Sequence, residues 1–369
     1  MTATMSGVHH ILVVAPRDQK SGGDIGHTAR RLAQSLGKND AFVFDGLGDA
    51  PGCLTDHLQC WRNLPQAVAE TGCVWLHDAR NARSIAAYVL ARHYRKPVVI
   101  TRHSDSIPEG SLLQKIWFMT IDRLITRKIL CAADQVVFSS DAVAETYYNH
   151  VPFTKTVQII PNGVDVSVFH PVPAFERSGL RTRFALRDDQ PVVIFAGRFG
   201  QQHDMKVIQD LAHMMPDWRF WLIGDGKYKP EKWFLPNVQV FRNRDRHGRA
   251  ILYQTADLLI APNTNARYPT GLQEAIACGI PVLCSPATAE GSYFAKSHVE
   301  TETVNPRAPA DTAEVWAETL RSKQNKLPRA TCKAELANIA QLFWDEDKIA
   351  SYYADIFQKL CLPVPQRTN

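Results

Sequence analysis

Several chemical signatures are missing from this sequence of 369 residues. Its eight cysteines form no C-x-x-C pair, and no Cys/His cluster has zinc spacing, which argues against a redox dithiol or a structural zinc site. No apolar run approaches the roughly 20 residues that a membrane-spanning helix needs. The net charge is only +5, so no nucleic-acid partner is expected.

Enzyme fingerprints are missing as well. Without a G-x-G-x-x-G string a nicotinamide dehydrogenase is disfavoured, and without a G-x-S-x-G elbow a nucleophilic triad has no support. The D-x-D string, Asp345 to Asp347, falls where acids cap a helix, so no metal site is predicted. The first residues lack the basic segment and long apolar core of a signal peptide. These features predict a cytoplasmic enzyme with free thiols and no cofactor.

Short β-branched runs alternate with amphipathic helical patterns along most of the chain. The alternation weakens in the Pro-bearing stretch "PNGVDVSVFHPVPAFERSGL" and restarts at "PVVIFAG". This pattern predicts the α/β class, with two doubly wound parallel sheets over residues 1–172 and 173–345 and a final helix over 346–362. Ligands of such sheets bind at the carboxyl ends of the strands, so the chemistry is expected in strand-to-helix loops.

Two loops of the first domain carry candidates. Gly22 and Gly23 precede a helix whose free amides suit a phosphate or a sugar hydroxyl, although two glycines are often only a turn. His103 closes a strand and can hydrogen-bond a sugar or assist proton movement, unless the backbone satisfies it. Weaker candidates at similar positions are His27, His77 and Asp78.

In the second domain, Arg198 follows a strand that ends at Gly197 and can neutralise a phosphate with charge-assisted hydrogen bonds. His203 and Lys206 lie nearby as secondary cations. A surface arginine is commonly only solvated, so this loop alone does not identify a ligand.

The stretch "ARYPTGLQEAIACGIPV" predicts a second anion site. Thr270 can cap a short helix, Gly271 allows a close approach, and Glu274 lies one turn in, where it can accept bonds from two neighbouring hydroxyls. Phosphate on the amides and ribose on the acid would place a nucleotide diphosphate here. The helix dipole alone also favours an acid in a first turn, so the combination with Arg198 is what favours the nucleotide.

The motifs resemble, in order and spacing, the retaining glycosyltransferases of the two-Rossmann GT-B fold, most closely their large family 4. The resemblance extends over roughly residues 8 to 360 and rests on these segments: "SGGDIGHTARRLAQSL", "PVVITRH", "ADQVVFSSDAVAE", "IIPNGVDVSVFHP", "VIFAGRFG", "WLIGDG", "ADLLIAPN", "LQEAIACGIPVLCS" and "FWDEDKIASYYADIF". It implies two Rossmann-like domains facing each other across a cleft. The second would hold a nucleotide-sugar donor and the first the acceptor, which would contact His27, His77 and Asp78. The last helix would cross back to the first domain.

The resemblance also implies residue roles. His103 would contact the transferred sugar and Arg198 would neutralise the diphosphate, as the two catalytic residues. Gly23 would lie near the donor phosphates, and Glu274 would hold the ribose. The other expected donor-binding residues are Gly22, His203, Lys206, Tyr268, Thr270, Gly271 and Leu272, with the backbone of Arg242, Asn243 and Arg244 at the base.

Three positions depart from the family pattern. An acid usually stands eight residues before the ribose-binding glutamate, where this sequence has Ala266. Pro269 replaces a glycine that lends its amide, and proline has none to give. His203 stands where a lysine usually follows the arginine, and a neutral imidazole is a poorer partner for a diphosphate. The missing acid at Ala266 puts the identity of the donor sugar in question. Transfer itself need not be lost, since Arg198, Glu274 and the helix start remain.

By resemblance, the expected reaction moves a hexose or related sugar, with retention and without a metal, to a glycan or lipid-linked acceptor. Lipopolysaccharide, capsule or exopolysaccharide assembly in a bacterium would fit. Helix 111–130 mixes an apolar stripe with cations, so it permits contact with the inner face of the cytoplasmic membrane, although packing on the sheet is the commoner role of such a stripe. Its apolar positions are Leu112, Leu113, Ile116, Trp117, Leu124 and Ile125, among Lys115, Arg123, Arg127 and Lys128.

Two alternatives from other classes stay open. A degenerate nucleotide-sugar-binding protein would bind donor with neither transfer nor hydrolysis, which the three departures motivate. A nucleotide-sugar epimerase on the same fold would need acid and base groups around the sugar, and the loss of an acid at Ala266 weighs against it. A sugar phosphorylase would be a further variant, recognised by its phosphate dependence.

Overall fold

The computed structural model describes residues 9–15, 24–37, 42–47, 54–103, 112–187, 189–200, 202–263, 270–289, 299–302, 304–305, 307–323 and 330–361. The chain divides into two compact units. Unit 1 comprises Met1–Gly163 with Glu346–Asn369, and unit 2 comprises Val164–Asp345. The division lies before the expected boundary at residue 172, because Val164 and Phe169 are buried in the core of unit 2.

Unit 1 is built on a parallel sheet whose strand order is β2-β1-β3-β4-β5-β6. Its strands are β1 (His9–Val14), β2 (Phe42–Leu47), β3 (Cys73–His77), β4 (Val98–Arg102), β5 (Gln135–Phe138) and β6 (Val157–Ile159). Its first helices are α1 (Asp24–Gly37), α2 (Leu54–Glu70), α3 (Ala82–His93), α4 (Leu112–Ile121), α5 (Arg127–Ala132) and α6 (Asp141–Tyr148). Between α4 and α5 the helix continues as a π-helical segment, Asp122–Thr126.

Apolar residues cover both faces of this sheet, as its continuous apolar strands predict. In β3, Val74 and Leu76 face a core that includes residues of α2, α3, α5 and α6, whereas Cys73 and Trp75 belong to a core on the other side. Side-chain caps fix two of the helices: Asn81 accepts from the Ser84 amide at the start of α3, and Ser140 caps α6 in the same way. The strand order reverses between β1 and β3, where doubly wound sheets bind ligands.

Unit 2 contains a second parallel sheet, with the order β12-β11-β10-β7-β8-β9. Its strands are β7 (Val192–Ala196), β8 (Arg219–Ile223), β9 (Val238–Phe241), β10 (Leu258–Ala261), β11 (Val282–Cys284) and β12 (Glu300–Thr301). Its helices are α7 (Ala174–Arg183), α8 (Gln202–Met214), α9 (Arg246–Thr255), α10 (Thr270–Ala277), α11 (Pro286–Ala289), α12 (Pro309–Lys323) and α13 (Ala330–Phe343), with a 3-10 turn over Pro230–Trp233. This sheet also has an apolar core on each face, and its order reverses between β7 and β10. The predicted α/β class with two doubly wound parallel sheets is therefore confirmed.

The last helix, α14 (Glu346–Leu360), belongs to unit 1. Its Tyr353 and Phe357 side chains pack on Trp75 of β3, with ring centroids 4.9 and 5.2 Å away. Polar contacts fix the start of the helix, where Ser35 of α1 donates to the Asp347 carboxylate over 2.5 Å. The helix therefore supplies part of the unit 1 core. Asp347 lies in its first turn and links it to α1.

Candidate functional site

The strongest candidate site lies in unit 2, where the strand order reverses. Ala196 ends β7, and Gly271 lies in the first turn of α10. A methyl group added at Gly271 would lie 3.2 Å from the Ala196 Cβ and 3.4 Å from its carbonyl oxygen, so the start of α10 packs directly on the end of β7. Because Arg198 follows Ala196 by two residues, its loop and the amino end of α10 share one edge of the sheet.

The start of α10 and Arg198 together provide positive potential. The first amides of a helix have no intrahelical acceptor and carry the positive end of the helix dipole. The Arg198 side chain is exposed. Leu272 is only 1 % exposed and its side chain lies in the core, so it could meet a ligand only through its backbone. This edge is suited to an anion with several oxygen atoms, such as a diphosphate.

The secondary cations that the sequence predicts differ in their placement. The Lys206 Nζ donates to the Asp210 carboxylate over 2.5 Å, one turn further along α8, so its charge is shared with an acid. For His203 the structure describes only the backbone, within α8. Tyr268 lies outside the described residues, and so do Ala266 and Pro269. Their predicted effects on the donor stay predictions.

Two loops interlock beside this edge. The Phe199 amide donates to the Asp225 carbonyl over 2.8 Å, and the Tyr228 amide donates to the Phe199 carbonyl over 3.0 Å. Gly224 has φ of +149°, and a Cβ there would lie 1.9 Å from the Gly197 carbonyl oxygen, so only glycine fits. The loops after β7 and β8 are thereby fixed to one another, and they hold the backbone that follows Gly197 in a defined position.

Residues 242–244, whose backbone is predicted to contact the nucleotide base, follow β9. The Arg242 guanidinium binds the carboxylates of Asp225 and Glu231 and lies over the Phe199 ring. Its hydrogen bond lowers the pKa of the Glu231 carboxyl. Asn243 has a left-handed backbone with φ of +50°, and the exposed Arg244 has its guanidinium over the Phe241 ring. The Arg242 side chain thus fixes the loop. That the backbone of this stretch contacts the nucleotide base stays a prediction.

Glu274 has a protein partner that the sequence did not reveal. Arg249 of α9 donates to it through two nitrogens, with Nη2 to Oε1 at 2.6 Å and Nε to Oε2 at 3.1 Å. Glu274 is only 4 % exposed. Burial and this carboxylate raise the pKa of the nearby Tyr253 hydroxyl well above its ordinary value. A ribose at Glu274 would therefore share the carboxylate with Arg249, and that predicted role stays a prediction.

In unit 1, His77 and His103 form a stacked pair. Their rings lie 9° from parallel, and His77 Nδ1 is 2.9 Å from His103 Nε2. On its other side, His103 Nδ1 lies 3.0 Å from the Asn162 Oδ1. Since a carboxamide oxygen only accepts, His103 Nδ1 carries the proton and its Nε2 accepts from His77. Asn162 and His77 together fix the ring of the predicted sugar-contacting residue.

His77 itself is fully buried, and burial followed by the charge of His103 lowers its pKa well below the ordinary value. It is therefore neutral at physiological pH and contacts His103, whereas the predicted contact with an acceptor stays untested. Gly22 and Gly23, the other predicted residues at this edge, lie outside the described residues. His27 lies in α1, where its backbone alone is described.

Asp78 follows β3 in a left-handed conformation, with φ of +77°. Such strained residues persist where surrounding contacts hold them. The carboxylate binds Arg80 and the fully buried Arg102. Burial on its own raises the pKa of Asp78, but the two guanidiniums outweigh it and hold the pKa below the ordinary value. Asp78 is thus part of an internal ion-pair network, and its predicted contact with an acceptor stays a prediction.

Among the described residues, no group of three or more His, Cys, Asp or Glu side chains is placed to hold a metal ion. None of the helices in this part of the chain has the length and apolarity to cross a membrane.

Comparison with known proteins gives two family matches. Residues 9–168 match Glycosyltransferase Family 4, and residues 177–333 match Glycosyl transferases group 1. The D-inositol 3-phosphate glycosyltransferase of Xylanimonas cellulosilytica is 29% identical over 218 residues, which are 54% of this chain and 52% of that protein. The chain thus spans about half the length of the curated relatives it matches.

Two solved structures establish the fold. Sucrose-phosphate synthase from Thermosynechococcus elongatus has a TM-score of 0.73 at 15% identity, over 96% of this chain and 99% of that one. The Anabaena protein HepE, in complex with UDP-glucose, has a TM-score of 0.70 at 17% identity, over 95% and 99%. These likenesses confirm the expected GT-B class, and at these identities they extend to the fold alone.

Proposed function

Since the chain belongs to the family 4 and group 1 glycosyltransferases, we propose that it moves a hexose or related sugar from a nucleotide-diphosphate sugar to a glycan or lipid-linked acceptor. The reaction retains the anomeric configuration and needs no metal. One observation carries the proposal: the amino end of α10 packs on the end of β7, beside Arg198, where the strand order of unit 2 reverses. HepE, solved with UDP-glucose, supports a nucleotide-diphosphate hexose as the donor class.

In this reaction the bond between the sugar C1 and the diphosphate oxygen breaks while the acceptor oxygen bonds to C1 on the same face. The acceptor proton passes to the departing phosphate. Negative charge therefore grows on the diphosphate, and fixed donors stabilise it most when they are already in place. Arg198 and the first amides of α10 supply such donors without a divalent cation.

The described contacts of unit 1 give the His103 ring a defined orientation. His103 is held between Asn162 and His77, so its ring is fixed before substrate binds. Its role in this proposal is to contact the transferred sugar. Because one ring nitrogen donates to Asn162 and the other accepts from His77, a sugar hydroxyl would replace one of these partners or contact the ring edge.

Calorimetric titration with UDP, GDP and ADP in excess EDTA tests the proposal. We expect one base to bind, and its hexose conjugate to be transferred or slowly hydrolysed, with retention detected by NMR. A chain that binds none of the three diphosphates would contradict the proposal. Binding with neither transfer nor hydrolysis would identify a non-catalytic nucleotide-sugar-binding protein. An epimerised donor would identify the epimerase, and a reaction that depends on phosphate would identify the phosphorylase.

We also place the enzyme at the inner face of the cytoplasmic membrane, where lipid-linked acceptors of lipopolysaccharide, capsule or exopolysaccharide assembly are found. Along α4 and the π-helical segment, apolar side chains are exposed rather than packed on the sheet: Leu113 is 78% exposed, Ile116 52% and Leu124 56%. Arg123 and Lys128 are exposed on the same helix. An apolar surface flanked by cations favours an anionic bilayer.

Replacing Leu113 and Leu124 together with serine is expected to reduce binding to phosphatidylglycerol vesicles at least about tenfold, because each leucine contributes on the order of 1 kcal/mol when it leaves water. Co-sedimentation measures the effect. The matched control replaces Val89 and Phe175 with serine, since these side chains are 59% and 75% exposed on other helices. Equal vesicle binding by the two double variants would place the contact surface elsewhere.

A further inference from the structure

Unit 1 contains a cavity whose lining includes none of the residues predicted to contact the donor or the acceptor. Its volume is about 690 Å³, within the usual range for small-molecule sites. It lies between α6 and the continuous helix formed by α4, the π-helical segment and α5. The side chains that matter for its chemistry are Ile116, Met119, Arg123, Arg127, Tyr147 and His150.

The described residues around this cavity carry an excess of positive charge. Three arginines line it, namely Arg80, Arg123 and Arg127, together with one acid, Asp122. That acid is already bound: it accepts from the Tyr147 hydroxyl over 3.1 Å and pairs with the buried Arg102 at 3.3 Å.

Arg102 and Arg80 in turn share Asp78. The wall and the network beneath it thus hold four guanidinium groups against two carboxylates. An anion entering the cavity would meet net attraction, strengthened by the low dielectric of a partly enclosed site.

Arg127 provides a second, independent indication. Its Nε atom is buried and has no hydrogen-bond partner among the described residues. Buried donors are nearly always paired, so an unpaired guanidinium nitrogen marks a place where an acceptor is missing. Arg127 directly follows the π-helical segment, which also holds Asp122 and Arg123. Single π-helical turns inside α-helices are frequent at functional sites.

Apolar side chains complete the cavity. Ile116 and Met119 line it and are 52% and 55% exposed, two turns and one turn before Arg123 respectively. The volume far exceeds that of a single phosphate, and its lining combines a cationic wall with an apolar one. The complementary ligand therefore has one phosphate group and an apolar portion beside it.

We propose that this cavity is a binding site for a phosphate ester, whose phosphate is held by Arg123 and Arg127 and whose apolar portion lies on Ile116 and Met119. A phospholipid headgroup and a soluble sugar or glycerol phosphate present the same anionic chemistry. The inference goes beyond glycosyl transfer and does not depend on the donor site, since every residue that carries it lies in unit 1.

Calorimetric titration of the full-length protein tests the proposal with three probes: monomeric dihexanoylphosphatidylglycerol, glycerol 3-phosphate and inorganic phosphate. The variant Arg123→Gln/Arg127→Gln removes the anion contacts and is expected to weaken binding of the phosphate esters at least tenfold. The control Arg62→Gln/Lys359→Gln removes the same charge from exposed positions of unit 1 outside the cavity and is expected to bind like the unaltered protein. Both variants should keep the circular dichroism spectrum and the thermal unfolding profile of the unaltered protein, which shows that unit 1 still folds.

The probes distinguish the two sources of the phosphate. Tighter binding of the lipid than of glycerol 3-phosphate, lost in an Ile116→Ser/Met119→Ser variant, supports a lipid headgroup. Equal binding of the two esters supports a soluble phosphate compound in the same cavity. The proposal is overturned if neither ester binds, or if the arginine variant and its control bind the esters equally well.

Discussion

Alanine at position 198 is expected to weaken nucleoside diphosphate binding about 30-fold to 1000-fold. The loss removes charge-assisted hydrogen bonds to the phosphates, which are together worth roughly 2–4 kcal/mol. Arg198 is exposed at the edge where α10 packs on β7, so its removal should leave the fold intact. Calorimetric titration with the preferred diphosphate measures the effect.

Arg183→Ala is the matched control, because Arg183 is also an exposed arginine of unit 2 but lies in the last turn of α7, ahead of the amino end of β7 and not in a strand-to-helix loop. The control should bind the diphosphate with unchanged affinity. Arg198→Lys should recover part of the affinity, since it keeps the charge and loses the planar fork. An Arg198→Ala protein that binds like the control would show that the diphosphate lies elsewhere.

Asp78→Ala is expected to destabilise unit 1 by about 3–5 kcal/mol, because it leaves the fully buried Arg102 guanidinium without its nearest carboxylate. Chemical denaturation measures the free energy of unfolding. Asp355→Ala, on the exposed face of α14, removes the same side chain outside the network and should change stability by less than about 0.5 kcal/mol. Equal losses in the two variants would mean that the network contributes nothing.

The same network predicts that part of the folding stability of unit 1 is lost in acid. The pKa of Asp78 in the folded protein lies below the ordinary value of 3.8, so protonation favours the unfolded chain. The contribution is complete above that value and is lost as the pH falls below it, through the folded pKa. In Asp78→Asn the difference from the unaltered protein should therefore shrink as the solution is acidified. A difference that stays constant from neutral pH to below 3.8 would contradict this assignment.

The sequence predicts much of the fold because the pattern that defines it is local. Continuous apolar strands such as "CVWLH" and "VVIFA" are buried on both faces of a parallel sheet, which their residue types already indicate. The boundary between the two units is less visible in the local sequence pattern. Val164 and Phe169 belong to the core of unit 2, and only the tertiary packing reveals this.

The site is predictable only in part, for a different physical reason. Positions at strand ends follow from the alternation, so Arg198 and Thr270 could be placed at the same edge. The partners of the predicted residues could not. Arg249 lies 25 residues from Glu274, and Asn162 lies 59 residues from His103. No periodicity relates such pairs, because their contact depends on how neighbouring elements pack.

The exposed stripe on α4 shows a limit of periodicity. An amphipathic pattern predicts an apolar face but does not say whether a sheet, a bilayer or a ligand covers it. In the described part of this helix, Leu113 and Ile116 are exposed, whereas Thr126 and Ile129, further along, are buried. The stripe therefore changes environment along its length, and the change falls at the π-helical segment.

The central claim is that a cation and the positive end of a short helix bind the diphosphate in unit 2 without a metal. A crystal structure of the protein with its preferred nucleoside diphosphate, grown with EDTA, tests it most directly. We expect phosphate oxygens roughly 3 Å from the Arg198 guanidinium and from the first amides of α10. Phosphates bound at another edge of the sheet, or a requirement for a divalent ion bridging them to carboxylates, would contradict it.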